Sequence, residues 1–212
     1  MISRRALLAA APVALAAAGG ARADEASTDD SADVPAAGPD GYDNKMVEVG
    51  IDFARTAPFV IVHEAVLPAS PAVVFDTLAD PTPWPRWLSS VAKVEYRTPF
   101  GPGAVRDVTT RGIGVIREHF IAWDRGERFA FSVSSSTSPL LTSFYEDYLL
   151  KPVDGGQTRL IWTVACDQRP WAFFAGPALM TVFKTTTPDA LSKLKLEVTA
   201  RKTASKKTRS SE

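Results

Sequence analysis

A strand-length apolar run that leads directly into a short, abruptly ended helix is the feature that most limits how this chain folds. Residues 59–67 are mostly apolar and long enough for a strand. Ser70 and Pro71 then predict a helix start, because serine caps helix N-termini and proline lacks only an N–H that the first helical position leaves unpaired. Closely spaced prolines after residue 80 predict the end of this helix. Trp84 and Trp87 are left on a second short turn.

The rest of the chain alternates strand-like segments with turn signals and then changes to a helical pattern. Strands are predicted at residues 91–98, 104–110, 115–123, 128–136, 145–153 and 158–168. From Pro170 the apolar residues recur at helical steps, which predicts one long final helix. Pro188 falls inside it and predicts a kink or a restart, with Thr187 as the cap of the second half. The polar end from Thr199 onward is expected to fray.

The motif L-P-A-S-P-x-x-V-F-x-x-L-A-D-x-x-x-W-x-x-W, which ends at Trp87, resembles the opening of the polyketide cyclase/START-like (SRPBCC) superfamily. Residues 123–131, residues 150–163 and the long final helix fit the same pattern, so the resemblance covers about residues 58–200. It implies an α+β helix-grip fold, in which a curved antiparallel sheet of about seven strands wraps around a long C-terminal helix. Two short helices follow the first strand. In this superfamily the space between sheet and helix is often an apolar cavity.

The domain organisation follows from shifts in composition. Residues 1–23 have the charged start, apolar run and Ala-Arg-Ala site of an export signal, with a resemblance to the twin-arginine type. Its apolar run is too short for a stable membrane span. Residues 24–45 predict a disordered acidic linker, residues 46–200 the ligand-binding domain, and residues 201–212 a basic tail. We therefore expect a periplasmic or extracellular protein; the alternative is translation from Met46 and a cytoplasmic location.

Composition excludes several classes of function. Lys and Arg number 24 and so do Asp and Glu, so no net charge favours nucleic acid as a partner. The single cysteine, Cys166, allows no internal disulfide and is expected to be a small buried side chain. The two histidines, His63 and His119, form no metal-binding motif, and no nucleophile elbow or phosphate-binding glycine loop occurs. We expect no cofactor.

Strand alternation predicts which side chains face the interior. The first strand has two faces of nearly equal hydrophobicity, and we place His63 with Phe59 and Leu67 on the inner one. For residues 115–123 alternation gives two possible inner faces. One carries Glu118 and Phe120, and the other carries Arg117, His119, Ile121 and Trp123. The predicted cavity residues are Ile61, His63, Trp87, Glu118, Phe120, Phe131, Glu146, Tyr148, Trp162 and Phe183.

His63 and Glu146 are the titratable members of this set that carry a functional hypothesis. A buried carboxylate needs hydrogen-bond partners or a shifted pKa, so either residue can orient a polar group of an apolar ligand. Together they also have the chemistry of an acid and a base. The alternative is structural, with each side chain at a solvated cavity mouth or paired with an arginine.

These observations favour a module that binds an apolar or amphipathic small molecule, such as a lipid, an isoprenoid or a polyketide-like compound, in an internal cavity. One alternative is a cofactor-free cyclase or dehydratase that uses a cavity His or Glu. Another is a protein-interaction module. The sequence leaves the oligomeric state open.

Overall fold

The computed structural model describes residues 44–209, which form one curved antiparallel sheet and a long helix. Between residues 44 and 209 the strands are β1 (Asn44–Lys45), β2 (Phe59–Leu67), β3 (Val91–Tyr96), β4 (Val105–Thr110), β5 (Gly114–Asp124), β6 (Arg128–Ser136), β7 (Leu141–Val153) and β8 (Gln157–Gln168). The helices are α1 (Pro71–Ala79), α2 (Trp84–Trp87) and α3 (Ala175–Arg209), with short 3-10 turns at Phe53–Arg55 and Pro170–Ala172. The predicted helix-grip architecture is confirmed.

The sheet order is β2-β8-β7-β6-β5-β4-β3, with β1 added to β6 outside that path. All neighbouring strands run antiparallel, and consecutive strands from β4 to β8 are joined by connections of three or four residues, whereas residues 97–104 join β3 to β4. Between β7 and β8, Gly155 and Gly156 have φ of 74° and 67°, the left-handed region that a side chain disfavours. The strand β2 lies at one edge of the sheet and pairs with β8, so the first long strand lies beside the last one.

The short helices form where the sequence predicts them. Ser70 is the extended residue before α1, and Pro71 is its first helical residue, although the Ser70 side chain makes no capping hydrogen bond. The helix ends at Ala79 because the prolines that follow prevent its continuation. The indole Nε1 of Trp84 then donates to the Leu78 carbonyl oxygen at 2.8 Å, which fixes α2 against the end of α1.

The long helix differs from its prediction in two ways. It continues through Pro188 without a restart, and the buried hydroxyl of Thr187 has no hydrogen-bond partner and so caps nothing. Thr187, Ala190 and Leu191 around the proline are buried, and this burial offsets part of the cost of the backbone hydrogen bond that proline cannot make. The expected fraying from Thr199 is also wrong, since α3 extends to Arg209. Arg201 pairs with Asp80, and Lys202 Nζ donates to the Pro68 carbonyl oxygen.

The main core lies between the inner face of the sheet and α3. On β2 the burial pattern alternates as predicted, with His63 on the inner side and Glu64 exposed. On β5 the burial of Glu118 and Phe120 decides the ambiguous parity, and a bulge between Phe120 and Ala122 returns Trp123 to the same face. The sequence contains no signal that locates this bulge.

The outer face of the sheet is partly covered by the segment before β2. Val49, Ile51 and Phe53 pack against a second, smaller cluster that contains Tyr145. The Tyr145 hydroxyl donates to the Ile51 carbonyl oxygen at 3.2 Å. The last two residues of the predicted linker are therefore ordered, since they form β1 and lead into this cover.

The predicted export signal, the rest of the linker and the last three residues of the basic tail lie outside the described residues. Between residues 44 and 209, no helix has the length and hydrophobicity that a membrane crossing needs.

Candidate ligand-binding cavity

A cavity of about 340 Å³ lies between the sheet and the first half of α3. Its wall is largely aliphatic and aromatic: the sheet contributes Val91, Val108, Ile116, Val133, Leu141 and Phe144, and α3 contributes Ala178, Leu179, Val182 and Phe183. Three large apolar side chains of the lining are also exposed at the surface, namely Ile113, Phe174 and Val182. They mark the mouth, where the β4–β5 turn faces the start of α3.

The position of α3 over the sheet depends on a close approach at its first turn. A Cβ added to Gly176 would lie 2.4 Å from the ring of Phe59 on β2, so only glycine permits this contact. The Gly176 N–H donates to Gln168 Oε1 at 2.7 Å, which ties the helix to the end of β8. The first half of the helix is thereby held at the edge of the sheet and leaves the volume behind it open.

Glu146 on β7 is a buried carboxyl group in the cavity wall. Its Oε2 accepts a hydrogen bond from the Tyr148 hydroxyl at 2.5 Å and another from the Trp162 indole Nε1 at 3.0 Å. Burial raises the pKa of Glu146 to about 8, and the negative charge of Glu118 adds to this rise while both hydrogen bonds oppose it. Among the described residues no cation pairs with Glu146. The group is therefore a neutral acid near neutral pH.

Glu118 on β5 is the second carboxyl group in the wall, and it has a different partner. Its Oε2 accepts a hydrogen bond from Nε of Arg106, and both side chains are almost completely buried. Burial raises the pKa of Glu118, and the Arg106 charge opposes that rise. The arginine pairing that the sequence suggested for Glu146 is thus made by Glu118.

Arg106 lies in what we term the Arg106 cage, five aromatic rings around its guanidinium, of which Tyr96 is the most distant at 6.0 Å. The centroid of the Trp84 ring is 4.1 Å away, and the rings of Phe120, Phe131 and Phe129 lie at 5.0, 5.0 and 5.5 Å. Such ring faces attract a cation, which offsets part of the cost of burying it. Two guanidinium nitrogens, Nη1 and Nη2, are buried without a hydrogen-bond partner.

Sequence reasoning missed Arg106. The available signal is its alternation with Val108 on β4, because both residues share the inner face of that strand. An arginine on the inner face of a strand indicates a buried ion pair. Its partner, Glu118, lies on a different strand and cannot be identified from the local sequence. Only the β4–β5 register, in which Arg106 lies opposite Glu118, identifies it.

The structure separates the predicted cavity residues into two groups. Four of them line the cavity: Glu118, Phe131, Glu146 and Phe183. The other six lie outside its wall: Ile61, His63, Trp87, Phe120, Tyr148 and Trp162. Most of this second group is aromatic and fills the interior beyond the cavity; for example, the Trp87 and Trp162 ring centroids are 5.8 Å apart.

His63 lies opposite Trp162 in the β2–β8 ladder and is not a lining residue. Burial lowers its pKa, and its Nε2 has no hydrogen-bond partner. An acid–base pair of His63 and Glu146 is therefore not assembled in the cavity. Cys166 is fully buried as predicted, and burial raises its pKa to about 12, so the thiol is protonated and inert.

The described residues offer no group of three or more His, Cys, Asp or Glu side chains placed to hold a metal ion. The outer face of the sheet offers a limited apolar surface. Val60, Val62 and Val66 on β2 are exposed there, while the segment before β2 covers part of the remaining face.

Comparisons with known proteins agree with this architecture. The profile of the family described as polyketide cyclase / dehydrase and lipid transport matches residues 58–199. Uncharacterized proteins of Mycobacterium bovis and Mycobacterium tuberculosis are 38% identical over 137 residues, which cover 64% of this chain and 78% of each of those proteins.

Two solved structures have the same fold. The Zhui aromatase/cyclase from Streptomyces sp. R1128 is similar with a TM-score of 0.58 and 17% identity, over 67% of this chain and 94% of that chain. A START superfamily protein from Mycobacterium smegmatis is similar with a TM-score of 0.55 and 12% identity, over 67% of this chain and 98% of that chain. Identities this low show a shared fold and leave the function to be argued from the site.

Proposed function

We propose that this chain, which belongs to the polyketide cyclase / dehydrase and lipid transport family, binds an apolar or amphipathic small molecule in the cavity beneath α3. The observation that carries the proposal is a cavity of about 340 Å³ whose wall is apolar except for a few groups that include Glu118 and Glu146. Pockets of this size and lining are typical of small-molecule sites, in which a few polar groups set the orientation of the ligand.

Binding has more support than turnover. The neutral Glu146 accepts hydrogen bonds from Tyr148 and Trp162. Glu118 is paired with Arg106 inside the aromatic cage. His63 lies outside the cavity wall. A group that transfers a proton during a reaction must lie within hydrogen-bond reach of the substrate. The cyclase or dehydratase alternative would have to use Glu146 alone, with water as its second group.

The first test is native mass spectrometry of the full chain purified without detergent. We expect a co-purified apolar or amphipathic molecule, released on denaturation and identified by its mass. The second test uses a matched pair of variants on α3, Val182→Trp and Leu196→Trp. Both replace an exposed aliphatic side chain, but only Val182 lies at the cavity mouth.

Saturable binding of a fluorescent apolar probe should weaken in Val182→Trp, because the indole obstructs the mouth, and should be unchanged in Leu196→Trp. Equal affinities in the two variants would place the binding site elsewhere. If neither a co-purified molecule nor saturable probe binding is found, the proposed function is wrong.

We also propose that binding takes place outside the cytoplasm. Support comes from the export pattern of residues 1–23. It also comes from the strand β1, in which Asn44 and Lys45 pair with Ser136 and Ser135 of β6. Translation from Met46 would remove this strand. N-terminal sequencing of the native protein should find a start soon after Ala23, whereas a start at Met46 would support the cytoplasmic alternative.

A further inference from the structure

Glu146 presents an unusual hydrogen-bonding arrangement to the cavity. Both of its donors, the Tyr148 hydroxyl and the Trp162 indole N–H, point at the same oxygen, Oε2. The second oxygen, Oε1, has no hydrogen-bond partner among residues 44–209. Because Glu146 is a lining residue, Oε1 is the oxygen available to a molecule in the cavity.

The surroundings of Glu146 favour its neutral form. The charged groups near it are Glu118 on β5, which repels a second negative charge, and Arg106 on β4, which is already paired with Glu118. Its own strand adds Tyr148, whose pKa is raised well above its ordinary value by burial and by Glu146. Phe131, which lies opposite Glu146 on β6, is apolar, and among residues 44–209 no cation forms an ion pair with Glu146 to replace its lost hydration.

The position of the proton follows from this geometry. A carboxylic acid has one O–H donor, and an oxygen that already accepts from two N–H or O–H groups is the carbonyl oxygen of the acid. The proton of Glu146 is therefore carried by Oε1, the oxygen available to the cavity. This oxygen can then donate a hydrogen bond to a bound molecule.

We propose that the cavity selects apolar molecules with an uncharged hydrogen-bond acceptor, such as a ketone or ester carbonyl oxygen, and that the Glu146 carboxylic acid donates to that oxygen. This inference rests on the proposed binding function and specifies the ligand class. A carboxylate placed beside Glu146 is disfavoured by the nearby Glu118 charge, whereas Arg111, which also lines the cavity, already donates to the Ser89 and Val91 carbonyl oxygens. A ligand with an ammonium group requires an ionised Glu146.

A matched set of linear probes tests the proposal: decan-2-one, n-decane, decylamine and decanoate. Binding to the full chain is measured by displacement of a fluorescent apolar probe at pH 6 and at pH 9.5. At pH 6 decan-2-one should bind more tightly than n-decane and decanoate. At pH 9.5 its affinity should fall roughly tenfold, the change expected when a buried hydrogen-bond donor is lost, while decylamine should bind more tightly than at pH 6.

Two variants separate the role of Glu146 from general effects of pH. Glu146→Gln places an uncharged N–H donor where the acid has its O–H, so its affinity for decan-2-one should no longer depend on pH. Glu64→Gln is the matched control, because Glu64 is exposed on β2 and outside the cavity, and it should keep the native pH profile. Glu146→Leu should bind decan-2-one and n-decane equally.

An infrared measurement needs no ligand. The C=O stretch of a buried carboxylic acid should be present in the native protein at pH 6, weaken by pH 9.5 and be missing in Glu146→Gln. A ketone affinity that does not change with pH in the native protein, or the lack of this band, would overturn the assignment of Glu146 while n-decane binding still supports the cavity. If none of the four probes binds, the proposed function itself is overturned.

Discussion

Both halves of α3 cover the same sheet. The second half packs on an interior filled with side chains, whereas the first half covers the cavity. In the second half, Leu191, Leu194 and Val198 are buried in the core. In the first half, Leu179 and Phe183 are only partly buried and line the cavity, and Val182 is exposed at its mouth. The boundary lies near Pro188, where the helix itself continues unbroken.

The difference arises from what lies opposite each half. The second half contacts α1 and α2, with Arg86 bound to Glu197 by two hydrogen bonds of 2.7 Å and Arg201 paired with Asp80. The tryptophans of α2 fill the interior beneath it; the Trp84 and Trp87 ring centroids are 4.7 Å apart. Among residues 44–209 no ion pair joins the first half to a short helix, and its distance from the sheet is set at its end by Gly176 and Phe59. A curved sheet and a straight helix then leave space between them.

The largest effect that we predict is a pH dependence from Glu146 in the cavity wall. In the unfolded chain its carboxyl group ionises near the ordinary pKa of 4.5, but in the folded protein only near pH 8. Its contribution to stability is thus fully present below pH 4.5 and is lost as the pH rises to about 8. The total loss is roughly 3 to 6 kcal/mol, since one pKa unit corresponds to about 1.4 kcal/mol.

The measurement is urea denaturation of the native protein and of Glu146→Gln from pH 4.5 to pH 9. The free energies of unfolding should be closest at the acidic end, and the variant should become progressively more stable relative to the native protein up to about pH 8. If the free energies of unfolding of the two proteins changed in parallel with pH, the carboxyl group of Glu146 would have an ordinary pKa in the folded protein.

The next effect concerns the Arg106 cage, which borders both regions, because Glu118 and Phe131 also line the cavity. Arg106→Met leaves Glu118 buried without its partner, and we expect a loss of about 3–5 kcal/mol in the free energy of unfolding at pH 7. The double variant Arg106→Met with Glu118→Leu should recover much of this loss, because an apolar pair of similar volume has no charge to desolvate. A single-variant cost below about 1 kcal/mol would contradict the buried pair.

A pair of leucine deletions compares the two halves of the helix directly. Leu194→Ala should cost about 2–5 kcal/mol, because the fully buried side chain leaves a cavity behind. Leu179→Ala should cost about 1 kcal/mol or less, because its side chain already borders empty space. Chemical denaturation of both variants measures the difference, and equal losses would show that the first half is as tightly packed as the second.

The smallest effect comes from added volume. Val164→Phe should destabilise the protein by about 1–3 kcal/mol, since Val164 is fully buried and lies outside the cavity wall. Val133→Phe on β6 should be nearly neutral, because Val133 borders the cavity and the added ring can enter it. The same variant should displace the bound molecule, which thermal denaturation with and without a fluorescent apolar probe detects.

Most elements follow from local sequence patterns. The strand β2 and the helix α1 were located to the residue, because an alternating apolar run, a serine cap and closely spaced prolines act over a few positions. The strand β7 begins at Leu141, before the predicted residue 145, because pairing with β8 extends it through a polar segment. Pairing of this kind depends on a partner strand, which local patterns do not describe.

The site was only partly predictable for a related reason. Strand alternation correctly placed Glu146 with Phe144 and Tyr148 on the inner face. Alternation cannot tell a residue beside empty space from one beside a ring, so six inward-facing residues were assigned to a cavity that they do not line. The Arg106–Glu118 pair was missed because it depends on the register between two strands.

The amino-acid sequence by itself determined the order of the elements, the inner face of most strands and the family, because these depend on periodicity, caps and proline positions along the chain. Only the tertiary structure decided which end of the interior is filled, which carboxyl group has a cation and which is left as a neutral acid. The physical reason is that volume and charge compensation are properties of side chains that meet from distant strands. Glu118 and Glu146 look alike in the sequence and differ only in the neighbours that folding brings to them.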